Sequence, residues 1–386
     1  MQHSVINAND LQILALIACC LLASPYIARF FKLPISATEI ILGSVFAYLG
    51  LLGQSDTFDL VAKIGFYYLM FMAGMGVNLK SFFAMKKSLA KRSVLYISSL
   101  YILSSLFALF FNLSYIFIII LPVMSVGLLS ILLKDFDKDC YWLKTSMIVA
   151  TLAEVVSIVL LTIVGTVSKQ GVTFLELFLN VLYLLVFLAF CLFAFKVLRI
   201  LFWWYPQLRN ILMPNEDKNE KDIRLCMSIF MLIIAAMLFT KLDLALGAFI
   251  AGAFISTFFT HKQDLEKRLS SFGYGLLIPI FFIHIGSTFD MRLLSDLVVM
   301  KNVAMIMLAM IFIRVVSAFV FYDKLGFKES VFLGLSQSMP LTLLVAVATL
   351  SYNAKIIDNG LYSALILTAL FEGILVMTLF RFLHTK

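Results

Sequence analysis

The chain has 386 residues, 62% of them hydrophobic and only 13% charged, with a formal net charge of +8. So little polar surface excludes an ordinary soluble domain. The basic excess does not call for a nucleic-acid partner, because its distribution along the chain reads as membrane orientation.

Apolar runs of about twenty residues, the length that crosses a bilayer, recur throughout. They predict an all-α polytopic membrane protein with about thirteen transmembrane helices. In chain order these lie at roughly 11–29, 33–53, 59–79, 92–111, 115–133, 145–168, 173–203, 223–240, 243–260, 272–289, 302–322, 329–351 and 360–380. The first run lacks a basic leader and follows Asp10, so a span is expected there and not a cleavable signal. Glu39 lies toward the cytoplasmic end of the second run and reads as a hydrogen-bonded structural acid more readily than as an ion ligand. Lys63, one turn inside the outer boundary of the third, can snorkel to the surface.

The fifth run, YIFIIILPVMSVGLLSILL, carries Pro122, Ser125 and Gly127 near its centre. The twelfth, ESVFLGLSQSMPLTLLVAVATL, carries Gly334, Ser336, Ser338 and Pro340. A proline removes a backbone hydrogen bond, and freed backbone at mid-depth is tolerated only where protein or water satisfies it. The two runs are seven apart in the order and therefore cross in opposite directions. Paired Pro/Gly-interrupted spans in corresponding halves point to inverted repeats with a transport site between broken helices; ordinary proline kinks are the plainer alternative.

Glu154 is the only charge between Lys144 and Lys169, and falls near the middle of the sixth run. Arg314 is the only charge between Lys301 and Asp323, and Glu372 the only one between Asp358 and Arg381. Charges at that depth are costly and usually face a protein interior or a water-filled path. Three of them suggest ion or proton movement; the alternative is a purely structural buried pair such as Glu154 with Arg314. Between the runs, residues 205–222 (YPQLRNILMPNEDKNEKD) read as a cytoplasmic linker between a first bundle, 1–204, and a second, 223–386. Few residues follow the last run, so gating is expected to come from the membrane part itself.

With the N-terminus outside, 23 of the 30 basic residues fall in one set of loops, five in the other, and Lys63 and Arg314 within spans. The positive-inside rule then places the C-terminus in the cytoplasm. Trp142, Trp203 and Trp204 fall at predicted cytoplasmic span ends, where interfacial aromatics are expected. The five cysteines show no CxxC or Cys/His spacing, so no disulfide framework, structural metal or cofactor is called for. HExxH, GxSxG and GxGD signatures are absent, which argues against an intramembrane enzyme. Isolated acids do not make the rings that a channel uses.

These residues resemble the monovalent cation:proton antiporters. LPISATEIILGSVFAYLGLLG is similar to their "LP…GEILLGILLGP", and IGFYYLMFMAGMGVNLKSF to "LGLLFLLFLAGLELDL". LALGAFIAGAFIS is similar to "LALGAFLAGLLLS", IPIFFIHIGSTFD to "LPLFFVSVGLSLD", and SVFLGLSQSMPLTLLVAVA more loosely to "ALLLGLLLSQGGEFAFVLA". The likeness covers roughly residues 10–380, nearest to the Kef-type and NapA-type members and to their membrane domain only. It implies an NhaA/NapA-type fold, a homodimer in the bacterial inner membrane, and elevator-like exchange of Na⁺ or K⁺ for H⁺. By position, the family's ion-binding acid falls on Glu154, its broken-helix "TS" on Met124 and Ser125, and its basic residue on Arg314. Ala153 stands where relatives carry a polar neighbour, Gly76 and Asn78 stand where they carry acids, and Glu372 has no counterpart in the pattern.

Exchange requires one site that holds either ligand. Burial favours the neutral acid, a partly dehydrated cation favours the carboxylate, and the two compete. Glu154 is the expected carboxylate, with Ser125, Thr151, Ser157 and carbonyls freed near Pro122 and Pro340 as further oxygen ligands. The guanidinium of Arg314 stays protonated, so Arg314 is expected to offset the negative ends of broken helices or to pair with Glu154 or Glu372. Glu372 is either that partner or a second titrating acid. With Ala153 beside Glu154 and a non-titrating arginine, electroneutral exchange is expected. His284 reads as a packing residue or a pH sensor. A sodium-coupled symporter of related architecture and a transport-deficient membrane sensor are the alternative functions.

Overall fold

The computed structural model describes residues 8–53, 55–76, 87–135, 140–167, 220–239, 244–258 and 263–384, with isolated positions between 193 and 207. Every regular element among them is helical. The first seven helices are α1 (Ala8–Phe31), α2 (Ile35–Tyr48), α3 (Asp56–Met75), α4 (Lys87–Phe110), α5 (Phe117–Ile120), α6 (Val126–Asp135) and α7 (Tyr141–Val167). Then come α8 (Lys221–Phe239), α9 (Leu244–Phe258), α10 (Gln263–Phe272), α11 (Ile278–Thr288), α12 (Leu297–Ala318), α13 (Tyr322–Ser336), α14 (Leu341–Asn353) and α15 (Asn359–His384). A π-turn, Gly273–Leu277, joins α10 to α11.

The helices follow the expected runs. Those at 115–133 and 329–351 are each divided, into α5 and α6 and into α13 and α14, at the prolines that cannot donate to the helical ladder. The run at 173–203 and most of the segment 205–222 fall outside the described residues. Among the described residues, eight helical segments are long and apolar enough to cross a membrane, and α2, α9 and α14 are shorter apolar helices. One of the eight, Leu297–Ser336, joins α12 to α13 and bends at Gly326, whose φ of 73° is open to glycine without strain.

The chain forms two compact units. One holds the described parts of Met1–Asp59, Met85–Leu161 and Phe282–Lys386. Within it α12 packs against α4, α13 and α15, and α14 against α6 and α15. The α12 stripe Val299, Val303, Ile306, Met310, Ile313, Arg314 and Ser317 is buried, the three- and four-residue spacing of one helix face. Asp296 starts α12 by accepting the Val298 N–H at 2.8 Å. Lipid is as apolar as leucine, so spanning helices gain most from close backbone approach at small residues. At Gly334 an added Cβ would lie 2.6 Å from Val315 Cα, which draws α13 onto α12 beside Arg314. Gly43 and Gly286 meet the Ile283 and Ile40 carbonyls reciprocally and seat α2 on α11.

The other unit holds the described parts of Leu60–Ala84 and Thr162–Phe281. Gly74 and Gly252 meet the Phe249 and Phe71 carbonyls in the same reciprocal way, joining α3 to α9. Tyr68 donates to the Leu269 carbonyl at 2.9 Å and stands among Phe71, Phe230 and Phe272. Arg268 on α10 bonds Glu220 at 2.7 Å and the buried Asp222.

Trp142 is the second residue of α7 and so stands at a helix end, as read from the sequence. It is buried, its ring stacked on Phe380 at 5.8 Å and tilted against Phe332. Trp203 and Trp204 are exposed.

Candidate functional site

Both helix breaks and all three isolated charges lie in the first unit. The chain leaves α5 at Leu121 and Pro122, runs through Val123 and Met124, and re-enters a helix after Ser125. Ser125 caps α6: its Oγ accepts the Gly127 N–H at 3.3 Å. A side chain at Gly127 would press on Thr342, with an added Cβ only 3.2 Å from its Oγ1. The second break runs from Gln337 to Pro340, and α14 starts directly after the proline. Ser338 bonds back to the Gly334 carbonyl at 3.2 Å, covering part of the exposed end of α13.

Glu154 on α7 is buried, with 4% of its surface exposed. The Ser125 hydroxyl approaches its Oε1 at 3.4 Å, and the Val126 backbone N–H bonds the same carboxylate. Ser125 and Thr342 share a 2.5 Å hydrogen bond. The N-termini of α6 and α14 therefore meet at the acid. Each helix N-terminus carries N–H groups without intrahelical acceptors and the positive end of its dipole, which favour an anion there. Thr151 stands one turn before Glu154 and donates to the Met147 carbonyl at 2.8 Å, leaving only its lone pairs free. Ser157, one turn after, is buried, with the Tyr101 hydroxyl beside it.

Arg314 and Glu372 are both fully buried and paired, Nη1 to Oε1, at 3.4 Å. Arg314 Nη2 donates to the Val123 carbonyl at 2.5 Å, within the first break, and Tyr96 lies near the guanidinium. Among the described residues no ion pair joins Arg314 to Glu154. The break thus has two poles. Its helix-starting end faces the acid, and its helix-ending end faces the arginine, the sign each dipole end favours.

The remaining candidates lie apart from this centre. Glu39 is buried and accepts from Ser24 at 3.5 Å. His284 Nε2 is 3.6 Å from Asp59 Oδ1, and its ring stands edge-on to Phe58. Lys63 is exposed. Sequence reasoning missed Thr342, the Val123 carbonyl and Tyr96. Only Thr342 had a usable signal: a hydroxyl two residues after the proline of a broken span. A proline marks freed carbonyls near it, but which of them meets the arginine carries no signal in a sequence.

The family model described as sodium/hydrogen exchanger, transmembrane, matches residues 14–384. YjbQ of Bacillus subtilis (strain 168), whose name carries Na⁺/H⁺ antiport as a provisional assignment, is 26% identical over 94% of this chain. The match takes in 61% of that protein, so the chain spans about three fifths of its length. Na⁺/H⁺ antiporter 3 of Methanocaldococcus jannaschii, also provisionally named, is 24% identical over 79% of this chain and 78% of its own. The solved structure of the sodium proton antiporter MjNhaP1 from the same archaeon superposes with a TM-score of 0.65 over 96% of both chains, at 15% identity. That last likeness is one of fold.

Proposed function

The chain belongs to the sodium/hydrogen exchanger family, and from that membership we propose that it is a secondary active antiporter that exchanges a monovalent cation, Na⁺ before K⁺, for H⁺. The observation that carries this reading is the Glu154 carboxylate, buried between the N-termini of two interrupted helices and joined to Ser125. Glu154 takes either a proton or a cation. Ser125, Thr151, Ser157, Thr342 and nearby carbonyls complete the cation's oxygen shell. Arg314 and Glu372 keep the opposite pole of the break neutral and take no part in proton transfer. The two breaks belong to inverted repeats of an NhaA/NapA-type fold of about thirteen spans, with 205–222 as the cytoplasmic linker between its two bundles. The protein sits in the inner membrane with its N-terminus outside and works by elevator-type alternating access. The direct test is proton movement in everted vesicles after adding Na⁺, K⁺ or Li⁺. A pH response to none of them would end the antiport reading.

Stoichiometry follows from the same groups. Ala153 leaves Glu154 without an acidic neighbour, and Arg314 and Glu372 already satisfy one another. One proton then exchanges for one cation with no net charge moved. Cation-driven proton flux in proteoliposomes is expected to be the same whether or not valinomycin clamps the potential. A strong response to the clamp would assign a second titrating group, with Glu372 the first to mutate.

An elevator also needs an immobile partner, supplied here by a homodimer formed through the early spans. Native mass measurement in mild detergent is expected to show two copies. An active species that is strictly monomeric would remove the dimer from the mechanism.

A further inference from the structure

Gln337 is the first residue of the second break, and its side chain is 3% exposed. Its amide is oriented without ambiguity. Nε2 lies 2.8 Å from the Ser146 carbonyl, which can only accept, and 2.6 Å from Ser146 Oγ. Both amide hydrogens are thereby committed. The Ser146 hydroxyl, having accepted, donates to Ser336 Oγ at 2.7 Å, and Ser336 donates on to the Leu333 carbonyl at 2.8 Å. Every donor in the chain Gln337–Ser146–Ser336 is spent.

Acceptors are left over. Gln337 Oε1 is buried with no hydrogen-bond partner. The Ser336 carbonyl would ordinarily accept from residue 340, but Pro340 has no N–H. Gln337 Oε1 is a buried acceptor with no donor, which is unfavourable when dry, and the Ser336 carbonyl one residue earlier lacks its helical donor; carbonyl oxygens are the ligands a hard monovalent cation prefers. Ser146 precedes Glu154 by eight residues on α7, about 12 Å along the axis, on the side that the loop charges assign to the cytoplasm.

We propose that the Gln337 side-chain carbonyl, with the freed Ser336 carbonyl, is a second station for a monovalent cation, on the cytoplasmic side of Glu154. It rests on the antiport reading for its purpose but not for its chemistry. A cation held by neutral oxygens binds weakly and leaves readily, so the station supplies the carboxylate without competing with it.

The test measures binding apart from exchange. The full chain in mild detergent is melted while NaCl, and separately KCl, replaces choline chloride at constant ionic strength. Glu154→Gln removes the charged ligand, so stabilisation by cation that persists there and is then lost with the Gln337 oxygen reports the station. Gln337→Met on that background keeps the side-chain length and removes the oxygen, and is expected to raise the half-saturating cation concentration at least tenfold. Should that variant fail to fold, Gln337→Asn withdraws the oxygen by one bond and gives the same readout. Glu154→Gln protein with no cation response, or a double variant that responds like Glu154→Gln alone, would overturn the station. Absence of exchange in wild-type vesicles would instead overturn the antiport reading and leave this binding result standing, so the two failures are separable.

Discussion

Glu154→Gln is expected to reduce cation-dependent proton movement to the level of vesicles lacking the protein, while insertion and melting stay near wild type. The amide keeps the size of the acid and can still meet Ser125 at the mouth of the break. It cannot change charge, and a single site that alternates between proton and cation has no second way to do so. Glu154→Asp is the companion variant. It keeps the charge but withdraws the carboxylate by one methylene from Ser125 and the Val126 N–H. Exchange should persist with weaker cation affinity. Measured as cation-induced pH changes in everted vesicles, near-wild-type exchange by Glu154→Gln would rule out the shared-site mechanism.

Arg314→Ala is expected to be the most destabilising single change in the first unit, at about 3–5 kcal/mol, because removing one member of a buried pair strands the other. The loss leaves the Glu372 carboxylate without its cation and the Val123 carbonyl without its donor. Arg314→Lys should recover part of the stability and some exchange, since an ammonium supplies the charge but not both contacts at once. The double variant Arg314→Ala with Glu372→Ala should be more stable than Arg314→Ala alone, because no buried charge is then stranded. Melting temperature in detergent, followed across the four proteins, measures this. An Arg314→Ala protein with wild-type melting and activity would remove the counter-charge role.

Much of this protein could be read along the chain because the membrane imposes a one-dimensional rule. A residue in a twenty-residue apolar run must be apolar or have a reason, so Glu154, Arg314 and Glu372 stand out by isolation alone. Pro122 and Pro340 likewise mark their breaks, since the missing N–H is a property of the residue and not of its surroundings. Helix positions followed for the same reason, down to the division of the fifth and twelfth runs. Pairing did not follow. Three charges at similar depth allow Arg314 to meet either acid, and packing of α12 against α15 joined it to Glu372. Thr342 reached Ser125 because two chain breaks 217 residues apart converge, and no local pattern carries that separation. The spare acceptor on Gln337 became visible only when the donors around it could be followed to their ends. Depth and helix breaking belong to single residues and their near neighbours, so a sequence displays them; the partner of a buried charge or hydrogen bond depends on which helices pack together, and is known only from the folded chain.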